Sequence, residues 1–419
     1  MDPRDHLFRR ESGRMVAALT RLFGVHNLAL AEDVVQEAFC RAIEVWRFRG
    51  VPDNPPAWLM ATAKNCALDV LRRERTVRAL APAIEHHLRS EWTLAPAVEE
   101  LFAPGVIKDD LLRMMFSCCH PRLPEPAQVA LILNILCGFT VDEVAHAFMS
   151  GYAAIEKRIT RAKKALATSE ELFDVAVGSE FTARLPAVQR ALYLLFNEGY
   201  HGASPQAAVR SELCHEAMRL TALLLQHPLG ATPESYALSA LMCLHAARLP
   251  ARIDASGNLQ ALADQDRSKW DLELLGEGLK LLDMSATGSS LSEFHVEAAI
   301  AAFHAAATHT ANTDWVAIAS LYDTLMSLRP SPVVALNRAI AVAQRDGPER
   351  GLDEIRSIAE RDRLARYPFY FAALGEFELQ RGRPEAAREH FRCALNLARS
   401  PAERQFLDRR ASACNPRST

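Results

Sequence analysis

No stretch of eighteen apolar residues occurs in the 419-residue chain, so nothing in it reads as a membrane-spanning helix. The opening MDPRDHLFRRESGR lacks the apolar core of a signal peptide, which points to a cytoplasmic protein with no membrane partner. Aromatics are scarce, at 7% against 49% hydrophobic overall, and the β-branched alternation of a sheet is nowhere sustained. Alanine and leucine carry the apolar content instead, so the expected fold is all-α, with length enough for two or three domains. There is no glycine-rich phosphate loop and no nucleophile elbow, so neither catalysis nor a cofactor is expected. The net charge of −3 excludes a general nucleic-acid coat, and any DNA affinity has to be local. The nine cysteines lack C-x2-C pairing. Their best cluster, Cys118-Cys119-His120 with Cys137 and His146, reads as core packing and not as a metal site. His295, His304 and His309 have Glu297 as their nearest acid but no i, i+4 histidine pair, so no metal is assigned there either. Asp264, Asp266, Arg267, Trp270 and Asp271 crowd one short stretch and predict an interhelical salt-bridge network.

What is present is a pair of basic segments separated by an acidic hinge. In residues 140–166, Thr140 and Glu143 form a capping box. Val141, Val144, Ala145 and Phe148 then predict one buried face, and Ser150-Gly151 a tight turn. The helix that follows buries Ile155, Ile159, Ala162 and Leu166 and turns Lys157, Thr160, Arg161 and Lys164 outward. Such a pair reads as a helix-turn-helix, or as an ordinary hairpin with a solvated charged face.

In the other basic segment, residues 58–78, Pro55-Pro56 sets the helix start. Leu59, Ala63, Cys66 and Val70 line its inner side. Trp58, Thr62, Asn65, Asp69 and Arg72 share the outer side, and Arg72, Arg73, Arg75 and Arg78 make its end cationic. An exposed aromatic beside amide and guanidinium groups suits unstacked bases, with a core tryptophan as the alternative. Upstream, residues 31–46 predict a helix that buries Val35, Phe39, Ala42, Ile43 and Trp46. It exposes Asp33, Gln36 and Glu37, an acidic stripe fit to dock a basic protein surface.

In this order and spacing, AEDVVQEAF, WLMATAKNCALDVLRR and RITRAKKAL resemble an extracytoplasmic-function sigma factor, a promoter-specificity subunit of bacterial RNA polymerase. LYLLFNEGY, LADQDRSKWD, AAIAAFHA, TDWVAIASLYD and VVALNRAIAVA are similar to a subgroup with a long C-terminal helical extension bearing tetratricopeptide-like (TPR-like) repeats. The resemblance thus covers nearly the whole chain. It implies a region 2 over residues 1–78, with Asp33, Gln36 and Glu37 on the clamp of the polymerase core's largest subunit. Trp58, Thr62, Asn65, Arg72 and Arg73 then fall to the −10 element of promoter DNA. It implies a helix-turn-helix region 4 over residues 109–168, where Lys157, Arg158, Arg161 and Lys164 meet the −35 element. The match is looser at Tyr152-Ala153-Ala154.

Residues 79–108 read as a flexible acidic linker. Over 81–110 six acids (Glu85, Glu91, Glu99, Glu100, Asp109, Asp110) face only Arg89 and Lys108, a net −4. Residues 169–419 form the extension, in which Phe371, Leu374, Gly375, Ala387, Phe391 and Ala394 fit one tetratricopeptide pattern. Glu378 stands where an aromatic is usual, and Pro401 falls beyond the expected proline. Gly347-Pro348-Glu349 and Gly382-Arg383-Pro384-Glu385 predict two equivalent hairpin turns. Hairpins of this kind stack into a concave surface that takes a protein or small-molecule ligand. The expectation is a sigma factor regulated in cis by its extension. The alternative is a helix-turn-helix regulator whose C-terminal domain scaffolds other proteins, with an α-helical enzyme carrying a DNA-binding appendage as a distant third.

Overall fold

The computed structural model describes residues 3–23, 27–73, 109–168, 179–201, 209–256 and 258–414. The expected linker at 79–108, Arg75, Arg78 and the side chains of Arg72 and Arg73 lie outside the described residues. Among the described residues the regular structure is helical throughout, apart from one isolated antiparallel bridge between Ile253 and Leu259. The all-α expectation holds. No helix among them is long and apolar enough to cross a membrane. The chain divides into two compact units, residues 1–195 with 223–230, and residues 196–222 with 231–419.

The first unit begins with α1 (Pro3–Phe23), α2 (Leu28–Arg49) and α3 (Pro55–Arg73). The stripe α2 buries is Leu28, Ala31, Val34, Val35, Ala38, Ala42 and Trp46. Ile43, expected inside, is 53% exposed, because it sits about 100° around the helix from the buried Ala42. Phe39 is only half-buried and stacks on Phe8 with ring centroids 4.7 Å apart.

Four further helices follow: α4 (Asp110–Cys118), α5 (Glu125–Ile135), α6 (Val141–Ala147) and α7 (Tyr152–Ala167). A helix apolar on all sides belongs in a core. In α5, Ala127, Val129, Ala130, Leu131, Ile132, Leu133 and Ile135 are all buried. The two helical groups of this unit pack closely. A Cβ on Gly13 of α1 would lie 2.0 Å from the Leu136 carbonyl oxygen, so only glycine permits that approach. Arg21 reaches Asp110 at 3.3 Å, and Lys163 of α7 donates to Glu32 of α2 at 2.7 Å.

The next helices are α8 (Ser179–His201) and α9 (Ser211–Gln226), and each contributes residues to both units. Phe181, fully buried, stacks between Phe116 and His227, each at 4.3 Å, and Arg184 donates to the Phe116 carbonyl at 3.3 Å. The first half of α8 therefore belongs with α1–α7, whereas the sequence starts the extension at residue 169. Cys118 and Cys119 are buried nearby, and burial pushes the Cys118 thiol up to about 12, which suits inert packing. No group of three metal-binding side chains occurs among the described residues.

In the second unit α10 (Pro233–Ala246) is buried along most of its length and packs against α11 (Leu272–Ser285) and α12 (Glu293–Ala306). Then come α13 (Trp315–Leu328), α14 (Pro332–Asp346), α15 (Pro348–Arg356), α16 (Pro368–Gln380), α17 (Pro384–Asn396) and α18 (Pro401–Ser412). The pairs α14/α15 and α16/α17 are antiparallel-type hairpins whose turns use Gly347 (φ 98°) and Gly382 (φ 73°), both in the left-handed region. Glu378 is buried but compensated by Arg381 at 3.2 Å, which explains a carboxylate at an aromatic's position. Pro401 opens α18, with Ser400 as its N-cap.

Candidate nucleic-acid interface

The α6–α7 hairpin begins as the sequence predicts. Thr140 Oγ1 accepts from Glu143 N–H at 3.1 Å, and the Glu143 carboxylate accepts from Thr140 N–H at 2.7 Å. Val144 and Ala145 are buried, while Val141 and Phe148 are half-buried. The turn differs from expectation. Gly151 is the extended N-cap of α7 (φ −81°), and the left-handed residue is Met149 (φ 49°). A non-glycine residue there carries a strain of roughly 1 kcal/mol, and the Met149 side chain is exposed.

Ile155, Ile159, Ala162 and Leu166 bury the inner face of α7 as expected. Lys157, Thr160, Arg161 and Lys164 are exposed on the other. Arg158 stands apart from them: it is half-buried, with its guanidinium 5.4 Å from the Phe148 ring centroid. It braces α6 against α7, a role its place in the R-I-x-R-A-K run did not reveal. Lys163 is held by Glu32. The sequence reading left Tyr152 out of its site, yet Tyr152 is 52% exposed at the N-terminal end of α7, the end from which such helices reach base edges. A large aromatic directly after the N-cap glycine was the available signal.

On α3, Asn54 Oδ1 accepts from Ala57 N–H at 3.2 Å and starts the helix. Trp58 is half-buried, its ring meeting Trp46 edge-on at 5.5 Å, and Trp46 in turn lies 5.8 Å from Phe8. It is therefore the outer end of an aromatic row, neither free-standing nor core. Thr62 donates its hydroxyl to the Trp58 carbonyl at 2.8 Å, which leaves that side chain turned back on its own helix. Asn65 and Asp69 are exposed.

The outer face of α2 carries Asp33, Gln36, Glu37 and Glu44, all exposed. Glu37 pairs with Arg41 at 2.8 Å, an exposed i, i+4 contact that solvent screens and that leaves Glu37 able to change partner. Next to this face lie Ile43, Phe48 (84% exposed) and Val51 (54%), an apolar rim that the predicted core stripe concealed. A mixed acidic and apolar surface of this kind fits a protein partner.

In the second unit a cavity of about 250 Å³ is lined by Trp315 and Tyr322 of α13, Asn337 and Gln344 of α14, and His304 of α12. The polar cluster expected to be a salt-bridge network is built differently. Asp266 caps a short turn through Ser268 N–H, Asp271 caps α11 through Leu274 N–H, and Arg267 donates to the His304 and Ala307 carbonyls at 2.7 and 2.6 Å. Asp266 and Asp271 serve helix starts and Arg267 a helix end, so no ion pair joins Arg267 to the aspartates around it.

Comparison with known proteins gives two family matches and two similar chains. Residues 7–77, which take in most of α1 and all of α2 and α3, match Sigma-70 region 2. Residues 184–286 match a family of unknown function (DUF6596). An uncharacterized protein of Rhizobium meliloti (strain 1021) is 38% identical over 392 residues, covering 94% of this chain and 91% of that one. The RNA polymerase sigma factor CarQ of Myxococcus xanthus is 32% identical over 146 residues, 34% of this chain and 75% of CarQ. No solved structure matches.

Proposed function

From a chain that belongs to the sigma-70 family of RNA polymerase sigma factors, and so binds core polymerase and promoter DNA, we propose a sigma factor of the extracytoplasmic-function type whose C-terminal extension controls it in cis. The observation that carries the reading is a division of faces inside the segment matching region 2. The acidic and apolar outer face of α2 suits the polymerase clamp, while Trp58 and Asn65 on α3 suit the unstacked bases of a −10 element. The α6–α7 hairpin acts as the helix-turn-helix of region 4, with Tyr152, Lys157, Arg161 and Lys164 toward the −35 duplex. The stacked hairpins of the second unit serve as the tetratricopeptide-like regulatory module.

The first test is in vitro transcription with purified core polymerase, with and without the protein. Promoter-specific transcripts are expected only when it is present, and their absence on every promoter drawn from its own genome would sink the reading. Cis control is tested by truncation after Gly230, which keeps Phe181, Phe116 and His227 together. A rise in transcription, or a loss with α1–α9 still folded, supports control, and transcription equal to the full chain's removes it.

A further inference from the structure

Three arginines of the second unit, Arg248, Arg252 and Arg267, have no carboxylate partner among the described residues. Arg248 is 8% exposed. Its guanidinium carbon lies 5.9 Å from the Tyr200 ring centroid and 5.6 Å from that of Trp270. Arg252 stands 4.7 Å over Tyr200, and Arg267 4.5 Å over Trp270. The two rings are themselves buried, at 2% and 5% exposure. Two aromatic faces thus gather three cations into one cluster.

Of the acids nearby in sequence, Asp264 is exposed and forms no ion pair with these arginines, and the others are committed elsewhere. Glu198 accepts from Arg210 at 2.6 Å. Asp254 organises Ser256, Asn258 and Gln260, and Asp266 and Asp271 act as caps. What the arginines do contact is neutral: Arg248 Nε donates to Gln265 Oε1 at 3.3 Å, Arg252 to the Tyr200 and Gln260 carbonyls, and Arg267 to the His304 and Ala307 carbonyls. The imidazoles beside them supply no negative charge either, and burial together with these arginines keeps His245 and His304 neutral. Cation–π contacts contribute about 0.5–2 kcal/mol each, less than the several kcal/mol that desolvating an unpaired charge costs.

The uncommitted polar atoms of the arginines and Trp270 are all donors. Arg252 Nε, Arg267 Nη2, Trp270 Nε1 and Tyr200 Oη are buried without a hydrogen-bond partner among the described residues, as are the Nδ1 atoms of His245 and His304, whose role depends on the tautomer. An apolar ligand would leave these groups unpaired, a cation would be repelled, and a single carboxylate offers too few lone pairs and one charge. A tetrahedral dianion offers both the acceptors and the charge, and guanidinium forks match its geometry.

We infer that the Arg248–Arg252–Arg267 cluster is a binding site for a phosphate-class oxyanion, taken either free or as the phosphoryl group of a small molecule. Arg252 and Arg267 are half-buried and form its approach from solvent, and Arg248 forms its floor. The site lies in the extension, so it is the place where a small anion would act on that unit, whatever the first unit binds.

The test uses the full chain at constant ionic strength, titrated with inorganic phosphate, with phenyl phosphate, and with chloride as the control. Broadening of the phosphorus NMR line and a melting temperature that rises with phosphate but not with chloride are expected. Equal affinity for the two phosphates identifies the free anion as sufficient, and tighter phenyl phosphate identifies an ester. Arg252→Gln and Arg267→Gln should each weaken binding by at least about tenfold, the effect of deleting one charge-assisted hydrogen bond. Arg248→Gln should abolish the phosphate-dependent rise. A purely structural role for the arginines would instead lower the melting temperature equally with and without phosphate. The inference is overturned if wild type shows neither line broadening nor a rise beyond the chloride control, or if the Arg252 and Arg267 variants bind as wild type does. Neither readout involves transcription, so failure here leaves the sigma-factor reading intact.

Discussion

Replacing Trp58 with alanine separates the support it gives Trp46 from the base stacking proposed for it. Complete burial would make Trp→Ala cost about 3–5 kcal/mol. Trp58 is half-buried and meets Trp46 edge-on, so roughly half of that, about 2 kcal/mol, is expected, including about 0.5–1.5 kcal/mol from the aromatic pair. For a unit of this size the melting temperature should fall by about 4–8 °C. Stacking on a flipped base contributes about 1–3 kcal/mol, so open-complex occupancy should fall about 5- to 150-fold. Asn65→Ala supplies the control. Asn65 is exposed, so its loss should leave stability within about 0.5 kcal/mol of wild type while still weakening melting. Trp58→Phe should restore most of both properties. The assay is permanganate reactivity of promoter thymines alongside closed-complex binding at low temperature. If Trp58→Ala lowers the melting temperature yet leaves permanganate reactivity per bound complex at the wild-type level, Trp58 is a buttress and α3 does not hold bases through it.

Asp33→Lys with Glu37→Lys should abolish capture of core polymerase without changing the melt, since both side chains are exposed; wild-type capture would remove α2 from the interface. Arg161→Ala should reduce affinity for the cognate duplex by about 1–3 kcal/mol, whereas Lys164→Ala should mainly flatten the salt dependence by about one unit of slope. Arg158→Ala should instead cost stability, about 0.5–1 kcal/mol, because its guanidinium lies over Phe148; a binding isotherm across salt and a thermal melt distinguish the three. Burial, with Arg248 and Arg267, holds His304 down at about 4, below its ordinary 6.5. The unfolded chain therefore binds the extra proton first, so stability is full above pH 6.5 and is lost as pH falls toward 4, by about 3 kcal/mol at most. His304→Gln should flatten that decline, and an unchanged slope in melting temperature against pH would refute it.

Periodic apolar spacing made the buried faces of α6 and α7 readable, because a helix repeats every 3.6 residues and Ile155, Ile159, Ala162 and Leu166 keep that step. The Thr140–Glu143 box was equally legible, being a local reciprocal hydrogen bond. Ile43 was misplaced because a stripe read from one helix does not say how wide the partner helix is. The turn was placed too late because Ser150-Gly151 carries the usual turn composition, whereas Gly151 keeps an ordinary extended φ and the left-handed residue is Met149. Contacts distant in sequence left no local trace. Trp46 beneath Trp58, Phe116 beside Phe181 and Glu32 opposite Lys163 join segments whose patterns are complete without each other. The same holds for the arginine cluster, where proximity to aspartates suggested ion pairs that helix caps had already taken.

The closeness of Gly13 to the Leu136 carbonyl has a reach beyond the two helices it joins. The α3 and α7 faces sit on one packed body, so under the proposed function the distance between melted bases and a duplex grip would be a length fixed by side-chain volumes, in the way a caliper's gap is fixed by its stop. A single methyl at residue 13 is the smallest shim that could be inserted there. Introduced by Gly13→Ala, it would push the α1–α2–α3 group away from the α4–α7 group and strain the Glu32–Lys163 contact, without touching a nucleotide or a polymerase residue. Promoter spacer length, ordinarily considered a property of DNA sequence, would then be set in part by the absence of one carbon atom.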